Sequence, residues 1–262
     1  MLTIWKACLL GIVQGATEFL PISSSGHLVV AQRLFGWTEG DATTLGFDVI
    51  LHLGSLLAVI IIFSNDIKRI LLGKEMKLVL CLIVATLPAT IVGFAFKERI
   101  EHLFSSLPAV GIAWIITGVF LLATRLKTDS DRETVGLGDS LVIGTAQAIA
   151  IAPGISRSGS TIGTGLLLGL KREEAVRFAF LMSIPAIGGS ALVTAKDISG
   201  FAPTLVLPSI IGFIASFISS YIVARWLINL VKKGSLWYFG IYCLIAGVIS
   251  ILISLLRSSA IG

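Results

Sequence analysis

Six stretches of this chain are apolar for long enough to cross a bilayer: 45–63, 77–96, 109–124, 175–195, 204–231 and 236–256. A helix rises about 1.5 Å per residue, so roughly twenty residues cover the ~30 Å hydrocarbon core. Each stretch therefore predicts a transmembrane helix. Two further stretches, 7–35 and 141–170, are apolar at both ends but polar in the middle. The first is interrupted by Leu-Pro-Ile-Ser-Ser-Ser-Gly-His (20–27), the second by Ala-Pro-Gly-Ile-Ser-Arg-Ser-Gly-Ser (152–160). Proline lacks an N–H and restricts the residue before it, so Leu20-Pro21 ends a helix. The apolar piece after each break is about ten residues, too short to span and suited to a re-entrant half-helix.

The two broken stretches repeat one another. A Gly-x-x-Gln precedes each break, at 11–14 and 144–147, and Ile-Ser-(Ser or Arg)-Ser-Gly lies inside each. Three spans follow each. A hairpin that returns to its own face, followed by three crossings, starts the second half on the opposite face. The chain thus reads as an all-α polytopic membrane protein, one membrane domain over 1–262. Six full transmembrane helices accompany two re-entrant helix–loop–helix hairpins. The halves, 1–128 and 134–262, form an inverted-topology repeat whose broken helices meet near the midplane.

Composition agrees: 55% of the 262 residues are hydrophobic and 13% charged, where an average soluble domain is roughly 25% charged. The net charge of +5 is scattered over short loops, which speaks for membrane topology and against a nucleic-acid surface. Lys68, Arg69, Lys74, Lys77, Arg125, Lys127, Arg132, Lys171, Arg172, Arg177, Lys232 and Lys233 fall on one side. Lys6, Arg33, Lys97, Arg99, Lys196 and Arg257 fall on the other. The richer side is expected in the cytoplasm, so both termini face outward and the first hairpin enters from outside. Residues 1–20 begin like a secretory leader, but Gln14 and Glu18 interrupt them and no small-residue cleavage site follows, so they read as part of the mature protein. Cys8, Cys81 and Cys243 have no metal-like spacing and read as packing residues.

Ionisable side chains at membrane depth cost roughly 2.5–3.5 kcal/mol each on insertion scales, so those present mark a working site or a paired charge. Here they are Glu18, His27, Asp48, His52 and Arg157. Gln14 and Glu18, four apart, share a helix face. Ser23, Ser24, Ser25 and Gly26 run into a half-helix expected to begin near His27. Gly154, Ser156, Arg157, Ser158, Gly159, Ser160 and Thr161 run into its counterpart. Two helix N-termini then converge, each with unsatisfied N–H groups and partial positive charge, an arrangement suited to phosphate. Arg157 adds a planar donor fork. Each feature also has a plainer use: serine–glycine clusters make turns, a membrane arginine pairs with a carboxylate such as Glu18, and Asp48 and His52 bond each other across one turn. Their coincidence on matching segments points to an anion-handling site. Spacing alone leaves two classes open, an enzyme acting on a phosphate group and a carrier that moves an anion.

Residues 11–27, Gly-Ile-Val-Gln-Gly-Ala-Thr-Glu-Phe-Leu-Pro-Ile-Ser-Ser-Ser-Gly-His, resemble the first signature of the undecaprenyl-diphosphatase family of bacitracin-resistance type. Residues 153–161, Pro-Gly-Ile-Ser-Arg-Ser-Gly-Ser-Thr, resemble its second, and Phe-Asp-Val-Ile-Leu-His-Leu-Gly-Ser (47–55) is similar to a third, weaker region. The resemblance covers essentially the whole chain. It implies hydrolysis of a polyprenyl diphosphate, chiefly undecaprenyl diphosphate, to the monophosphate and phosphate, which recycles the lipid carrier for cell-wall glycan synthesis. It favours this enzyme over a transporter or flippase of a polyprenyl phosphate or small anion. A divalent cation, Mg²⁺ or Ca²⁺, is implied with it.

Carried over by motif position, Glu18, Ser24, His27 and Arg157 are the catalytic candidates, with Glu18 the metal candidate. Gln14, Ser23, Ser25, Gly26, Gly154, Ser156, Ser158, Gly159 and Thr161 are the substrate-binding candidates. Ser24 is the candidate nucleophile, with direct attack by water as the alternative. His27 relays its proton or protonates the leaving phosphate, and Glu18 orients His27, acts as base or holds the metal. Gln14 stands where the family carries Glu or Gln, so a two-carboxylate metal site is in doubt. Ser25 stands where some relatives have Thr, and Asp48 where some have Glu. The expected setting is the plasma membrane, with the site opening to the outer face, the lipid substrate and membrane lipids as partners, no nucleic acid, and a homodimer left open.

Overall fold

The computed structural model describes residues 2–35, 42–104, 106–126, 130–194 and 203–259. Among these the chain is helical and forms no strand beyond an isolated bridge between Arg132 and Leu170. The first half carries α1 (Ile4–Phe19), α2 (Ser24–Leu34), α3 (Ala42–Ile62), α4 (Ser64–Leu71), α5 (Met76–Ala95), α6 (Lys97–Phe104) and α7 (Leu107–Ala123). The second carries α8 (Leu137–Ile149), α9 (Arg157–Leu167), α10 (Arg172–Thr194), α11 (Val206–Lys232) and α12 (Trp237–Ser259). Five helices, α5, α7 (with its extension to Leu126), α10, α11 and α12, are each long and apolar enough to cross a membrane. Helix α3 bends by 77° into α4, and that pair is the sixth candidate. The chain is therefore an all-helical, multi-pass membrane protein with five or six candidate spans.

Each apolar stretch read from the sequence is a helix here. The short helices α4 and α6 were not anticipated. Both follow directly on a span, where Lys, Arg, Asp and Glu replace the apolar run that signalled the helix before them. Asp66 of α4 is tied to α10 by Arg177, 2.7 Å away. Of the charges used to assign sidedness, Lys127 and Lys196 lie outside the described residues.

Helix α1 lies along α11, and α8 lies along α5; α11 also packs on α3, α5 on α10, and α7 along α12. Lipid offers no hydrophobic drive for helices to associate, so close van der Waals packing decides which faces meet. The Gly-x-x-Gln glycines serve that end. A Cβ on Gly11 would overlap the carbonyl oxygen of Gly212 on α11, and one on Gly144 would overlap that of Ala85 on α5. Both broken segments are thus pressed against a long helix of the other half. Outward, α5 exposes Leu80, Ile83, Leu87, Ile91 and Phe94, a surface suited to lipid. Inward, Phe19, Phe178 and Phe180 are buried, with the Phe19 and Phe180 rings 4.9 Å apart.

Candidate active site

Helix α1 stops at Phe19, as the following Leu20-Pro21 requires. Ser23 then takes a left-handed conformation, φ 68°, rare for a residue with a side chain. That turn starts α2 at Ser24, three residues before the expected start near His27. Ser23 Oγ accepts the N–H of Gly26 at 3.3 Å and so caps α2. It also lies 3.1 Å from Ser25 Oγ and accepts the N–H of Gly154, in the other break, at 3.1 Å. Gly154 itself has φ 94° and packs against the Val110 carbonyl, where no side chain fits. Ser156 caps α9, its Oγ accepting the N–H of Gly159 at 3.0 Å. Ser158 Oγ donates to the Leu20 carbonyl at 2.9 Å and lies 3.2 Å from Ser156 Oγ. Thr161 Oγ1 donates to the Arg157 carbonyl at 2.9 Å. The two helix N-termini therefore do converge. Ser23 and Ser158 use their hydroxyls to fasten one break to the other, while those of Ser156 and Thr161 bond within their own segment.

At the junction sits Glu18, its side chain only 4% exposed. Its Oε2 accepts from Gln14 Nε2 at 2.8 Å and from Ser24 Oγ at 2.6 Å. Its Oε1 is ion-paired with Nη2 of Arg157, the first residue of α9. A buried carboxylate needs such a counter-charge. Two polar atoms of this cluster, Arg157 Nη1 and Gln14 Oε1, are buried without a hydrogen-bond partner among the described residues. A free guanidinium donor beside a serine hydroxyl that already donates to a carboxylate is chemistry for gripping and attacking a phosphate.

His27 lies on the α2 side of the site. Its Nδ1 is 2.7 Å from the Ser23 carbonyl, so Nδ1 carries the proton, and Nε2 accepts from the Tyr242 hydroxyl at 2.6 Å. The ring stacks on Tyr242 and meets Trp114 edge-on, while Trp114 Nε1 donates to the Ile22 carbonyl at 2.7 Å. Gly26 lies against the Trp114 ring. Closer to the Glu18 carboxylate lies His52 of α3, with Nε2 3.7 Å from Oε2. His52 Nδ1 is bonded to the backbone carbonyl of Asp48 at 2.7 Å, whereas the Asp48 carboxylate accepts from Gln32 Nε2 at 2.8 and 3.0 Å. The side chains of Asp48 and His52 thus do not pair with each other in the way their spacing suggested.

Residues 7–249 match the family model described as Bacitracin resistance protein BacA. The chain belongs to this family. It is similar to the undecaprenyl-diphosphatase of Parabacteroides distasonis, 40% identical over 97% of this chain and 99% of the relative. It is 42% identical to the undecaprenyl-diphosphatase of Carboxydothermus hydrogenoformans, over 93% and 95% of the two chains. Against undecaprenyl-diphosphatase 2 of Bacillus thuringiensis the identity is 40% over 95% and 97%.

Sequence reasoning missed three contributors to this BacA-family site: Trp114, Tyr242 and Gln32. Each meets its partner only through the fold; Tyr242 is 215 positions from His27. The one available signal was a phenol placed within an otherwise apolar span. A metal cage built from protein alone is not present, since no group of three or more His, Cys, Asp or Glu gathers among the described residues. Glu18 and the unpartnered Gln14 Oε1 do offer two oxygen ligands. That suits a cation that arrives on phosphate oxygens and keeps some of its water, as Mg²⁺ commonly does. In the second half Gln147 repeats Gln14, also buried with its amide unpartnered, but Ile151 stands four residues on where the first half has Glu18.

Proposed function

We propose that this chain hydrolyses undecaprenyl diphosphate to undecaprenyl phosphate and inorganic phosphate, returning the lipid carrier to cell-wall glycan synthesis. The observation that carries the reading is the Ser24 hydroxyl, 2.6 Å from a buried Glu18 that is ion-paired to Arg157, where the N-termini of α2 and α9 meet. The terminal phosphate sits against those N-termini, with Arg157 Nη1 as a donor to its oxygens. Ser24 Oγ attacks the terminal phosphorus while Glu18 takes its proton, and the bond to the bridging oxygen breaks. Water then attacks the phosphoseryl group, releasing phosphate and restoring Ser24. His27 braces the Ser23 turn and, with Tyr242 on its Nε2, is the group that meets the leaving phosphate. Most of the acceleration comes from positioning and from charge already in place, as expected for phosphoryl transfer. Glu18 and Gln14 would hold a divalent cation carried by the diphosphate, which would neutralise charge on its oxygens.

The surrounding architecture is read as an inverted-topology repeat of two re-entrant hairpins and six spans, its halves 1–128 and 134–262. Support comes from the matched pairings of α1 with α11 and α8 with α5, and from the equivalent contacts of Gly11 and Gly144. The Lys/Arg asymmetry supports a plasma-membrane orientation with both termini and the mouth of the site outside. The test is phosphate release from C55-diphosphate by the purified protein in detergent, with and without chelator. The hydrolase releases phosphate. A carrier that only moves the lipid or a small anion releases none, and that result would overturn the reading.

A further inference from the structure

We propose that Thr117, with Trp114 one turn before it on α7, is a positioning residue for the reaction, a role that rests on the hydrolytic reading above. Each side chain acts through the backbone of one break. In the second break Gly154 and Ser156 flank Ile155, and Thr117 Oγ1 joins both of them. It donates to the Gly154 carbonyl at 3.1 Å and accepts the Ser156 N–H at 3.2 Å. A hydroxyl carries one proton and two lone pairs, so a single side chain serves both groups at once. Gly154, Ser156 and Thr117 are all buried, where a backbone group has to find its partner within the protein. Ser156 is the N-cap of α9, and Arg157 is its first residue. Holding the Ser156 N–H therefore holds the place from which the guanidinium reaches Glu18 and the phosphate oxygens.

Trp114 does the same for the first break. Its Nε1 donates to the Ile22 carbonyl at 2.7 Å, immediately before Ser23, whose φ of 68° turns the chain into α2 and Ser24. A left-handed serine persists only where its surroundings dictate it. The same indole ring lies against Gly26, two residues past Ser24. The nucleophile is thus gripped on both sides by one tryptophan.

Val110, Ala113, Trp114 and Thr117 follow the i, i+3, i+4, i+7 pattern and are all buried, so they form one face of α7. The Val110 carbonyl and the Ala113 methyl press on Gly154. Another face of α7 is locked to α12: a Cβ on Gly111 would overlap the Gly247 carbonyl, and one on Gly118 that of Gly240. Trp114 and Thr117 stand about 4.5 Å apart along the helix axis. One braced helix therefore holds the Ile22 carbonyl and the Ser156 N–H at a set offset, and with them the two N-termini that face the diphosphate. Helix α7 acts as a ruler between Ser24 and Arg157. Attack and charge stabilisation must meet on the same phosphorus, and a misplacement of about 1 Å can cost about 10²-fold in rate.

The experiment measures phosphate release from C55-diphosphate by wild type, Thr117→Val, Thr117→Ser, Arg157→Lys and the double variant Thr117→Val with Arg157→Lys, each checked for folding by gel filtration and thermal unfolding. Valine keeps the shape of threonine and loses both bonds, so kcat should fall about 10- to 10²-fold. Serine keeps the hydroxyl and should stay within about threefold of wild type. If Thr117 works by aiming the guanidinium fork, adding Thr117→Val to Arg157→Lys should cost less than about threefold, whereas independent effects multiply. A residue that only supports the fold would give the multiplied loss. Trp114→Phe keeps an aromatic ring and drops the Nε1 donor; it should slow phosphoserine formation on Ser24 by about tenfold or more, and it carries the test should Thr117→Val fail to fold. The proposal is overturned by a Thr117→Val kcat within about threefold of wild type, by a multiplied loss in the double variant, by Thr117→Ser as impaired as Thr117→Val, or by an unaltered Trp114→Phe. Wild type that releases no phosphate overturns the hydrolytic reading as a whole, whereas an active wild type with unaffected variants overturns only the positioning role.

Discussion

Replacing Arg157 with lysine separates its two jobs. In the structure Nη2 neutralises Glu18, while Nη1 is buried with no partner. Lysine brings one compact ammonium, which can stay on Glu18 but cannot also aim a second donor from a rigid fork. Losing one donor to developing phosphate charge should cost what removal of an oxyanion-hole donor costs, about 10²–10³ in kcat, or ~2.7–4 kcal/mol. Folding should suffer little, because the buried carboxylate keeps its counter-charge. Arg157→Ala is the control with the opposite balance. It removes the Arg157 counter-charge from buried Glu18, a change that typically costs about 3–5 kcal/mol in stability, so its thermal unfolding should fall well below that of Arg157→Lys. The assays are phosphate release from C55-diphosphate and thermal unfolding in the same detergent. If Arg157→Lys keeps turnover within about tenfold of wild type, the free Nη1 is not a phosphate donor, and the guanidinium serves only to neutralise Glu18.

Ser24→Ala should abolish a trappable phosphoseryl intermediate and lower turnover by more than about 10²-fold; a variant retaining over a hundredth of normal rate would identify Ser24 as a hydrogen-bond donor only and water as the nucleophile. In a Cys8→Ser background, an impermeant thiol reagent added outside intact cells should label Thr3→Cys and spare Lys74→Cys, and the reverse pattern would invert the assigned orientation. Asp139, at the surface end of α8, is held below the usual carboxylate range by its hydrogen bonds from Arg132, with partial burial opposing. Its contribution to stability should therefore be present above the ordinary Asp range, around pH 4, and fade as pH falls through its lowered value. Asp139→Asn should unfold at lower temperature than wild type at pH 7, and the difference should shrink on acidification; a pH-independent difference would mean that the N–H cap on Gly136, not the charge, is what matters.

The apolar runs and their two interruptions were legible because helix length and proline chemistry are local properties. The shared face of Gln14 and Glu18 was legible for the same reason: a separation of four fixes direction, and the 2.8 Å bond follows. The pairing of Arg157 with Glu18 was one of two readings left open, since spacing along the chain says nothing about which partner lies across a fold. Spacing along the chain leaves His52 open between a bond to Asp48, four residues away, and a direct place in the site. Its backbone bond to Asp48 spends Nδ1 and turns Nε2 toward α1. Local periodicity gives the helix face of a side chain, not which ring atom looks outward. The start of α2 was placed three residues late because Ser23 adopts a conformation that sequence rules reserve for glycine.

The bonds between the breaks bear on what kind of machine this is. Gly154 N–H to Ser23 Oγ and Ser158 Oγ to the Leu20 carbonyl join residues more than 130 positions apart. Carriers of alternating-access type work by rocking one group of helices against another about a central site. Here such a rock would shear these buried bonds, and each group left unpaired would cost about 1–3 kcal/mol. Reaction centres need the reverse: donors that hold still while charge moves between them. The stitching makes the floor of this site a fixed mould, so an incoming lipid headgroup must fit itself to the protein rather than the protein to it.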